Sequence, residues 1–171
     1  MSAEQDERYT AAAAEFGAAL QRLARATEAN PECRRDLLQD MHVALWRSLA
    51  AFDGRCALRT WVYRVAHNVA ASHIDSERRN RRPLVSLDEA GDPPAPINLD
   101  RDFEESEALT RLNAMIRALG SPDRQIITLY LEGENAASIA EITGLSAGAV
   151  ATRISRLKAH FAKTFKDAAY V

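Results

Sequence analysis

Residues 52–82 read FDGRCALRTWVYRVAHNVAASHIDSERRNRR, and this stretch is the most informative about the fold. Asp53-Gly54 predicts a tight turn. After the turn, apolar residues recur at helical spacing, which predicts a helix over about 58–80. Pro83 disfavours continuation of that helix. The apolar stripe consists of Leu58, Trp61, Val62, Val65, Val69 and Ile74.

The same helix carries side chains that suit opened, single-stranded nucleic acid. Trp61 and Tyr63 have rings that can stack on bases, and Asn68 has an amide that can bind a base edge. A tryptophan on an apolar stripe is usually part of a core, so stacking and packing both stay open for Trp61. The helix ends in four arginines that can hold phosphates: Arg78, Arg79, Arg81 and Arg82.

Two further helices precede this one and complete a first domain, residues 5–82. The pattern of residues 5–29 predicts one helix, and that of residues 31–51 predicts the next. Asn30 can cap the second helix, and Pro31 fits its first position. The apolar positions at helical spacing are Phe16, Leu20, Leu23, Leu37, Leu38, Met41, Leu45 and Leu49.

The second helix also has a polar side that is a candidate partner surface. Asp36, Gln39 and Asp40 lie on its exposed side, and Trp46 follows about two turns later. A polar helix face is most often only solvated, so this pattern by itself leaves both interpretations open.

Residues 83–102 predict an extended linker, because they hold four prolines and a glycine. The linker separates the first domain from a second one, residues 103–171. The glycine and proline positions of this second domain mark the boundaries of its helices. The predicted helices of the second domain span about 103–119, 122–132, 136–142 and 147–166. The fold class is therefore all-α, with two small helical domains.

Residues 136–150, AASIAEITGLSAGAV, have the features of a helix-turn-helix. Ala140 is small where two helices cross, Gly144 lies in the turn, and Val150 returns to the core. Ser146 can cap the following helix, whose outer surface carries polar and basic side chains. Such a helix fits the major groove of DNA. An ordinary helical hairpin with a solvated basic face is the alternative. The outer residues are Thr152, Arg153, Ser155, Arg156 and Lys158.

Charge is segregated along the chain, although the net charge is only −2. Residues 147–166 contain five Lys or Arg and no acidic residue, whereas residues 83–107 contain eight Asp or Glu and one Arg. Charge in blocks indicates binding partners, so the basic block favours nucleic acid.

Nothing in the pattern indicates an enzyme or a membrane protein. Cys33 and Cys56 form no metal-binding motif, and reduced thiols are expected. No Gly-rich phosphate loop or nucleophile motif is present, and the acidic N-terminus does not resemble a signal peptide. We therefore expect no catalytic residues, no cofactor, no metal and a cytoplasmic location. The histidines are scattered in the sequence: His42, His67, His73 and His160.

The joint pattern resembles the extracytoplasmic-function (ECF) sigma factors of bacterial RNA polymerase. The resemblance covers about residues 10–82 and 103–166. Residues 36–68 resemble the segment of that family that binds core polymerase and reads the −10 element. Residues 119–158 resemble its −35-reading domain. Both segments in this order, joined by an acidic linker, are strongly specific for the family.

The resemblance implies a sigma factor that binds core polymerase, directs it to −35/−10 promoters and helps to melt the −10 region. The polymerase surfaces implied are the clamp helices of β′ and the β subunit, and the acidic linker would thread toward the active-site channel. The resemblance also implies an anti-sigma factor, often membrane-bound. The residues implied for core binding are Asp36, Leu37, Gln39, Asp40 and Trp46.

The resemblance further implies residues for DNA. The loop from Phe52 to Ala57 would form a pocket for a base flipped from the −10 element. The −10 residues implied are Ser48, Phe52, Asp53, Gly54, Arg55, Trp61, Tyr63, Arg64, Asn68, Arg78, Arg79, Arg81 and Arg82. The −35 residues implied are Ser146, Ala147, Gly148, Thr152, Arg153, Arg156 and Lys158.

The recognition helix departs from the family pattern. Ala151 stands where many relatives carry Lys or Arg, and Ala147 and Ala149 make the base-facing end small and apolar. Such a surface suits a thymine methyl group better than guanine. We therefore expect Arg153 and Arg156 to carry more of the −35 discrimination.

Two other functional classes compete with a sigma factor. A two-domain helix-turn-helix regulator would bind duplex operator DNA without polymerase, but it would not explain the aromatic and arginine-rich helix. A nucleic-acid enzyme would need acid, base or metal ligands that the sequence does not cluster.

Overall fold

The computed structural model of the protein describes residues 2–81 and 106–169, and the regular structure in these ranges is helical. This confirms the all-α prediction. The predicted linker, residues 83–102, lies outside the described residues. Seven helices follow one another in the described ranges: α1 (Ala3–Thr27), α2 (Pro31–Leu49), α3 (Leu58–Arg81), α4 (Glu107–Ala118), α5 (Asp123–Leu131), α6 (Ala136–Thr143) and α7 (Ala147–Ala169).

The helices α1, α2 and α3 form an N-terminal unit around one apolar core. The residues that α2 contributes recur every fourth position, so they form one face of the helix. Each is at most 1% exposed, and full burial of such a side chain is worth about 1.5–3 kcal/mol. They are Leu37, Met41, Leu45 and Leu49.

The predicted boundaries of α2 and α3 have clear local causes. The side chain of Asn30 accepts hydrogen bonds from the backbone N–H groups of Glu32 and Cys33, and Pro31 begins α2. Both features stabilise a helix N-terminus. Before α3, Gly54 has φ of 75°, a left-handed conformation that favours glycine.

The helices α4–α7 form a C-terminal unit that contains the predicted helix-turn-helix, α6 and α7. Gly144 ends α6 with φ of 79°, and its N–H donates to the carbonyl of Ala140 at 2.9 Å. The hydroxyl of Ser146 accepts from the N–H of Ala149 at 3.2 Å at the start of α7. Ile139 and Val150 are fully buried on either side of this turn.

The two units pack directly against each other. Ala19, Ala26 and Tyr63 of the N-terminal unit belong to the same buried cluster as residues of α4–α7. Their partners there include Ile127 and Leu129. The guanidinium of Arg117 in α4 also donates to the carbonyl of Arg25 in α1 at 2.7 Å. The packing of the two units places one side of α3 against the helix-turn-helix.

Among the described helices, none is long and apolar enough to cross a bilayer.

Candidate nucleic-acid interface

The loop before α3 is ordered by its own aspartate. The carboxylate of Asp53 accepts a hydrogen bond from the backbone N–H of Arg55 at 3.1 Å. The same carboxylate pairs with the guanidinium of Arg55 at 3.0 Å. Asp53, Gly54 and Arg55 are all exposed. The loop therefore presents a cation from a defined backbone conformation.

Behind this loop, Trp61 and Phe52 pack together. Their ring centroids lie 5.3 Å apart in an edge-to-face arrangement. The indole N–H of Trp61 donates to the hydroxyl of Ser48 at 3.0 Å, and that hydroxyl donates to the carbonyl of Leu45 at 2.9 Å. All three side chains are half-buried. Trp61 therefore fixes the loop against α2, and it also keeps part of its ring accessible.

A groove between α2 and α3 is lined by residues predicted for polymerase binding and for base recognition. Asp40 of α2 and Asn68 of α3 both line it, together with Ser72 and His73. Asp40 and Asn68 are exposed, as the sequence predicted. The predicted polymerase-docking residue and the predicted base-reading amide thus share one surface.

Among the arginines at the end of α3, Arg78 lines the cleft between α3 and the C-terminal unit and not the α2–α3 groove. Arg78 and Arg79 are exposed. Arg81 is the last residue of α3, and Arg82 lies outside the described residues.

Tyr63 does not lie on this open surface, contrary to the sequence prediction. It is 3% exposed, because α3 packs its side against the C-terminal unit. Its ring contacts Phe16 edge-to-face at 6.0 Å, and the guanidinium of Arg59 lies 5.5 Å from its centroid. Burial raises the pKa of Tyr63, and the nearby Arg59 partly opposes this rise.

Arg64 is also held by the C-terminal unit. Its guanidinium donates to the carbonyl of Glu141 in α6 at 2.7 Å. In this arrangement Tyr63 is covered, and one guanidinium nitrogen of Arg64 is bound to α6.

Ion pairs that the sequence analysis missed hold the same contact. Arg59 pairs with Glu134, and Arg22 pairs with Glu132 at 2.7 Å. Hydrogen bonds to these carboxylates raise the pKa of both arginines. The partners are 75 and 110 residues apart in the sequence, so no local pattern relates them.

The predicted docking surface on α2 needs one correction. Asp36, Gln39 and Asp40 are exposed, but Leu37 is 1% exposed and belongs to the core. It lies on the face of α2 that packs against α1 and α3, so it cannot contact a partner. Trp46 is half-buried, and its indole N–H donates to Asp6 at 2.9 Å.

The recognition helix α7 begins with an open, small surface. Ser146, Ala147, Gly148 and Thr152 are exposed. The hydroxyl of Thr152 donates to the carbonyl of Gly148 at 3.0 Å, within the helix. Within the part of the chain that the structure describes, the first turn of α7 is therefore open to solvent.

The basic residues of α7 divide into bound and open ones. The guanidinium of Arg153 is bound to the carboxylate of Asp123 at 2.7 Å, which ties α7 to the start of α5. Arg153, predicted as an outer residue, is thus only partly exposed and ion-paired. Arg156 is exposed, and so is Lys158, whose ammonium lies 5.7 Å from the ring centroid of Tyr130.

Two family models match the two units. The model for Sigma-70 region 2 matches residues 13–80, and the model for Sigma-70, region 4 matches residues 109–161. Region 2 therefore corresponds to α1–α3, and region 4 corresponds to the C-terminal unit with its helix-turn-helix.

Individual relatives agree with these matches. The chain is 30% identical over 131 residues to the ECF RNA polymerase sigma-E factor of Haemophilus influenzae, covering 72% of this chain and 69% of that one. It is also 30% identical over 132 residues to a probable RNA polymerase sigma factor RfaY of Xanthomonas campestris. That match covers 72% of this chain but only 32% of the relative, so the chain spans about a third of that protein.

A solved structure has a similar fold. The sigma factor RpoE of Bartonella quintana, solved in complex with the anti-sigma factor NepR, superposes with a TM-score of 0.69. The match covers 94% of this chain and 98% of that one at 19% identity, so it concerns the fold.

Proposed function

The chain belongs to the ECF family of RNA polymerase sigma factors, and on this basis we propose which of its surfaces bind core polymerase and which bind promoter DNA. The α2–α3 groove binds core polymerase and the −10 element. The exposed start of α7 binds the −35 element. RNA synthesis itself is left to the core enzyme, in the cytoplasm.

The observation that carries this proposal is the groove shared by Asp40 and Asn68. A sigma factor has to hold the melted strand next to the polymerase that will copy it. A groove with a docking carboxylate on one wall and a base-reading amide on the other suits that requirement. The exposed Arg78 and Arg79 at the end of α3 then supply cations for the neighbouring phosphates.

For the −10 element we propose a flipped-base pocket formed by the loop, with Ser48 and Asn68 nearby. Extruding a base costs a few kcal/mol, which stacking and hydrogen bonds offset. The packing of Phe52 on Trp61 gives the pocket an apolar wall, and Gly54 keeps the loop narrow. Asp53 orients Arg55, which points a cation toward the strand.

For the −35 element we propose that Arg156 makes the main specific contact and Lys158 contacts phosphate. The small residues Ala147, Gly148 and Ala151 are exposed and allow close approach, which suits thymine methyl groups. Arg153 contributes by holding α7 at its angle to α5 through Asp123.

The closed packing of the two units implies a rearrangement during initiation. Tyr63 and Arg64 become available to DNA only when the C-terminal unit leaves α3. Polymerase and promoter that bind the separated form would shift the population toward it. We propose residues 83–102 as the tether between domains 5–82 and 103–171. An anti-sigma factor, as in the Bartonella quintana complex, would favour a form that does not engage polymerase.

Run-off transcription with purified core polymerase on genomic fragments tests the proposal. We expect promoter-specific transcripts that require the chain. Asn68→Ala should then reduce the permanganate reactivity of −10 thymines much more than it reduces binding of duplex −35 DNA. Gln21→Ala, which removes an exposed amide from α1, is the matched control.

A titration with core polymerase tests the docking surface separately. Asp40→Arg should weaken assembly while circular dichroism stays unchanged, because an exposed helical position tolerates substitution but an interface charge does not. Glu15→Arg, an exposed charge reversal on α1, is the control. Binding to duplex operator DNA without any affinity for core polymerase would instead favour the helix-turn-helix regulator.

A further inference from the structure

Three potential metal ligands converge where the connection between α1 and α2 meets the C-terminal half of α3. The Nε2 atom of His73 lies 2.8 Å from the carboxylate of Glu28. Glu77, one helical turn after His73, adds a second carboxylate, and the three donor atoms all lie within 4.8 Å of one another. No metal site was expected from the sequence, in which the histidines are scattered, and 45 residues separate Glu28 from His73.

We propose that Glu28, His73 and Glu77 bind one divalent transition metal ion of the zinc type. One imidazole nitrogen and two carboxylate oxygens are a donor set that Zn²⁺ accepts. The imidazole makes Mg²⁺ and Ca²⁺ poor candidates, because these ions prefer oxygen donors only.

The distances are compatible with this assignment. Bonds of about 2.0–2.2 Å from a metal to nitrogen and oxygen allow two donors to be at most about 4.4 Å apart. Small side-chain rotations would therefore bring the three donors to one ion. His73 and Glu77 are four residues apart on α3, so they extend from the same face of the helix.

The surroundings already orient one ligand. Glu28 is 9% exposed, and one of its carboxylate oxygens accepts a hydrogen bond from the backbone N–H of Asn30 at 2.8 Å. The other oxygen faces His73. Hydrogen bonds of this kind hold metal-binding carboxylates in position.

Three protein ligands leave one position of a tetrahedral ion open, and water would complete the coordination here.

Metal binding here would join parts of the N-terminal unit that are distant in sequence. Glu28 follows α1, whereas His73 and Glu77 belong to the turns of α3 just before Arg78. The ion would therefore hold the arginine-rich end of α3 against the α1–α2 connection. An ion that binds only the folded state also stabilises it.

The rival explanation is a purely structural ion-pair network. Arg34 donates to the carbonyls of Glu28 and Ala29 at 3.1 and 3.0 Å, so a cation already lies close to this connection. A network that Arg34 and its neighbours satisfy would have no room for a dication, and added metal would then change nothing.

Thermal unfolding of the full chain with and without Zn²⁺ separates these explanations. At hundredfold excess over Kd, we expect Zn²⁺ to raise Tm by about 5 °C or more and EDTA to reverse the shift. The shift should be lost in His73→Gln and in Glu77→Gln. It should persist in Asp75→Asn, an exposed acid on the same helix, and Mg²⁺ should not reproduce it.

Co²⁺ absorption on the wild-type chain provides a second measurement that does not depend on how the variants fold. We expect one equivalent of Co²⁺ to give ligand-field bands, which Zn²⁺ should abolish. Absence of Co²⁺ bands in the wild type, or an undiminished Zn²⁺ shift in both His73→Gln and Glu77→Gln, would overturn the assignment.

Discussion

Helix α3 has two sides that carry similar types of residue in different surroundings. Arg59, Tyr63 and His67, spaced by four residues, lie against the C-terminal unit or in the cleft beside it. Asn68 and Arg79 lie on an exposed side. The first set contributes to the closed packing of the two units, whereas the side chains of the second set stay accessible.

Helix α7 shows the same division. Arg153 is bound to Asp123, whereas Arg156, three residues later, is exposed. An arginine or an aromatic ring on a DNA-binding helix is therefore not by itself a DNA contact. Packing between helices decides which of them can reach a ligand.

The largest expected effect is that of Tyr63→Ala on stability. Removing a buried aromatic ring should cost about 3 kcal/mol or more of the unfolding free energy. Asn68→Ala on the exposed side should change it by only about 0.5 kcal/mol or less. Urea unfolding measures both. Tyr63→Phe, which keeps the ring, is the control; similar losses for Tyr63→Ala and Asn68→Ala would remove the distinction between the two sides.

Lowering the pH should destabilise the fold by protonating His67, which lies on the covered side of α3. Burial lowers the pKa of His67 to about 4, from an ordinary value of 6.5. The unfolded chain therefore binds a proton at a higher pH than the folded chain does. The contribution of neutral His67 to the unfolding free energy is complete above about pH 6.5. It is lost as the pH falls toward 4, by up to about 3 kcal/mol.

The pH effect can be isolated by comparing variants. Urea unfolding between pH 7 and pH 4 should show a weaker pH dependence in His67→Leu than in the wild type. His160→Gln, which removes an exposed histidine from α7, should match the wild type. Equal slopes for all three proteins would show that His67 does not titrate in this range.

The two arginines of α7 should differ in what their loss does to promoter choice. Arg156→Ala should relax discrimination among −35 sequences by roughly tenfold, because a bidentate arginine–guanine contact is worth about 1–3 kcal/mol. Arg153→Ala should instead weaken all promoters alike, and Asp123→Ala should reproduce that result. A randomised −35 library measures these profiles. A sequence-specific defect in Arg153→Ala would show that its pair with Asp123 opens on DNA.

The smallest effect is expected for the ion pairs between the two units. Glu132→Gln and Glu134→Gln each remove a pair whose arginine is about half exposed, so each should weaken the closed packing by about 1 kcal/mol or less. Small-angle scattering should show a larger radius of gyration in the double variant. Glu107→Gln, which breaks a pair within α4, should leave the radius unchanged.

The helices and their boundaries were predictable because their causes are local. The cap at Asn30, the turn at Gly54 and the left-handed Gly144 each depend on a few neighbouring residues. The exposed positions Asp40, Asn68 and Arg156 follow from helical periodicity once the apolar face is known. The same periodicity places Leu37 in the core, so its assignment to the docking surface was an error that the pattern alone could have prevented.

Spacing and turn residues in the sequence predict the seven helices of the described ranges, a three-helix unit followed by a helix-turn-helix unit, and the family to which they belong. These properties depend on spacing, capping and turn residues, which act over a few positions. The packing of distant segments, by contrast, covers Tyr63, binds Arg64 to Glu141 and Arg153 to Asp123, and brings Glu28 to His73. Each of these contacts joins positions 30 to 77 residues apart or depends on the packing of two units. No short-range pattern encodes such distances, so the folded chain alone selects which of its charged and aromatic residues stay free to bind.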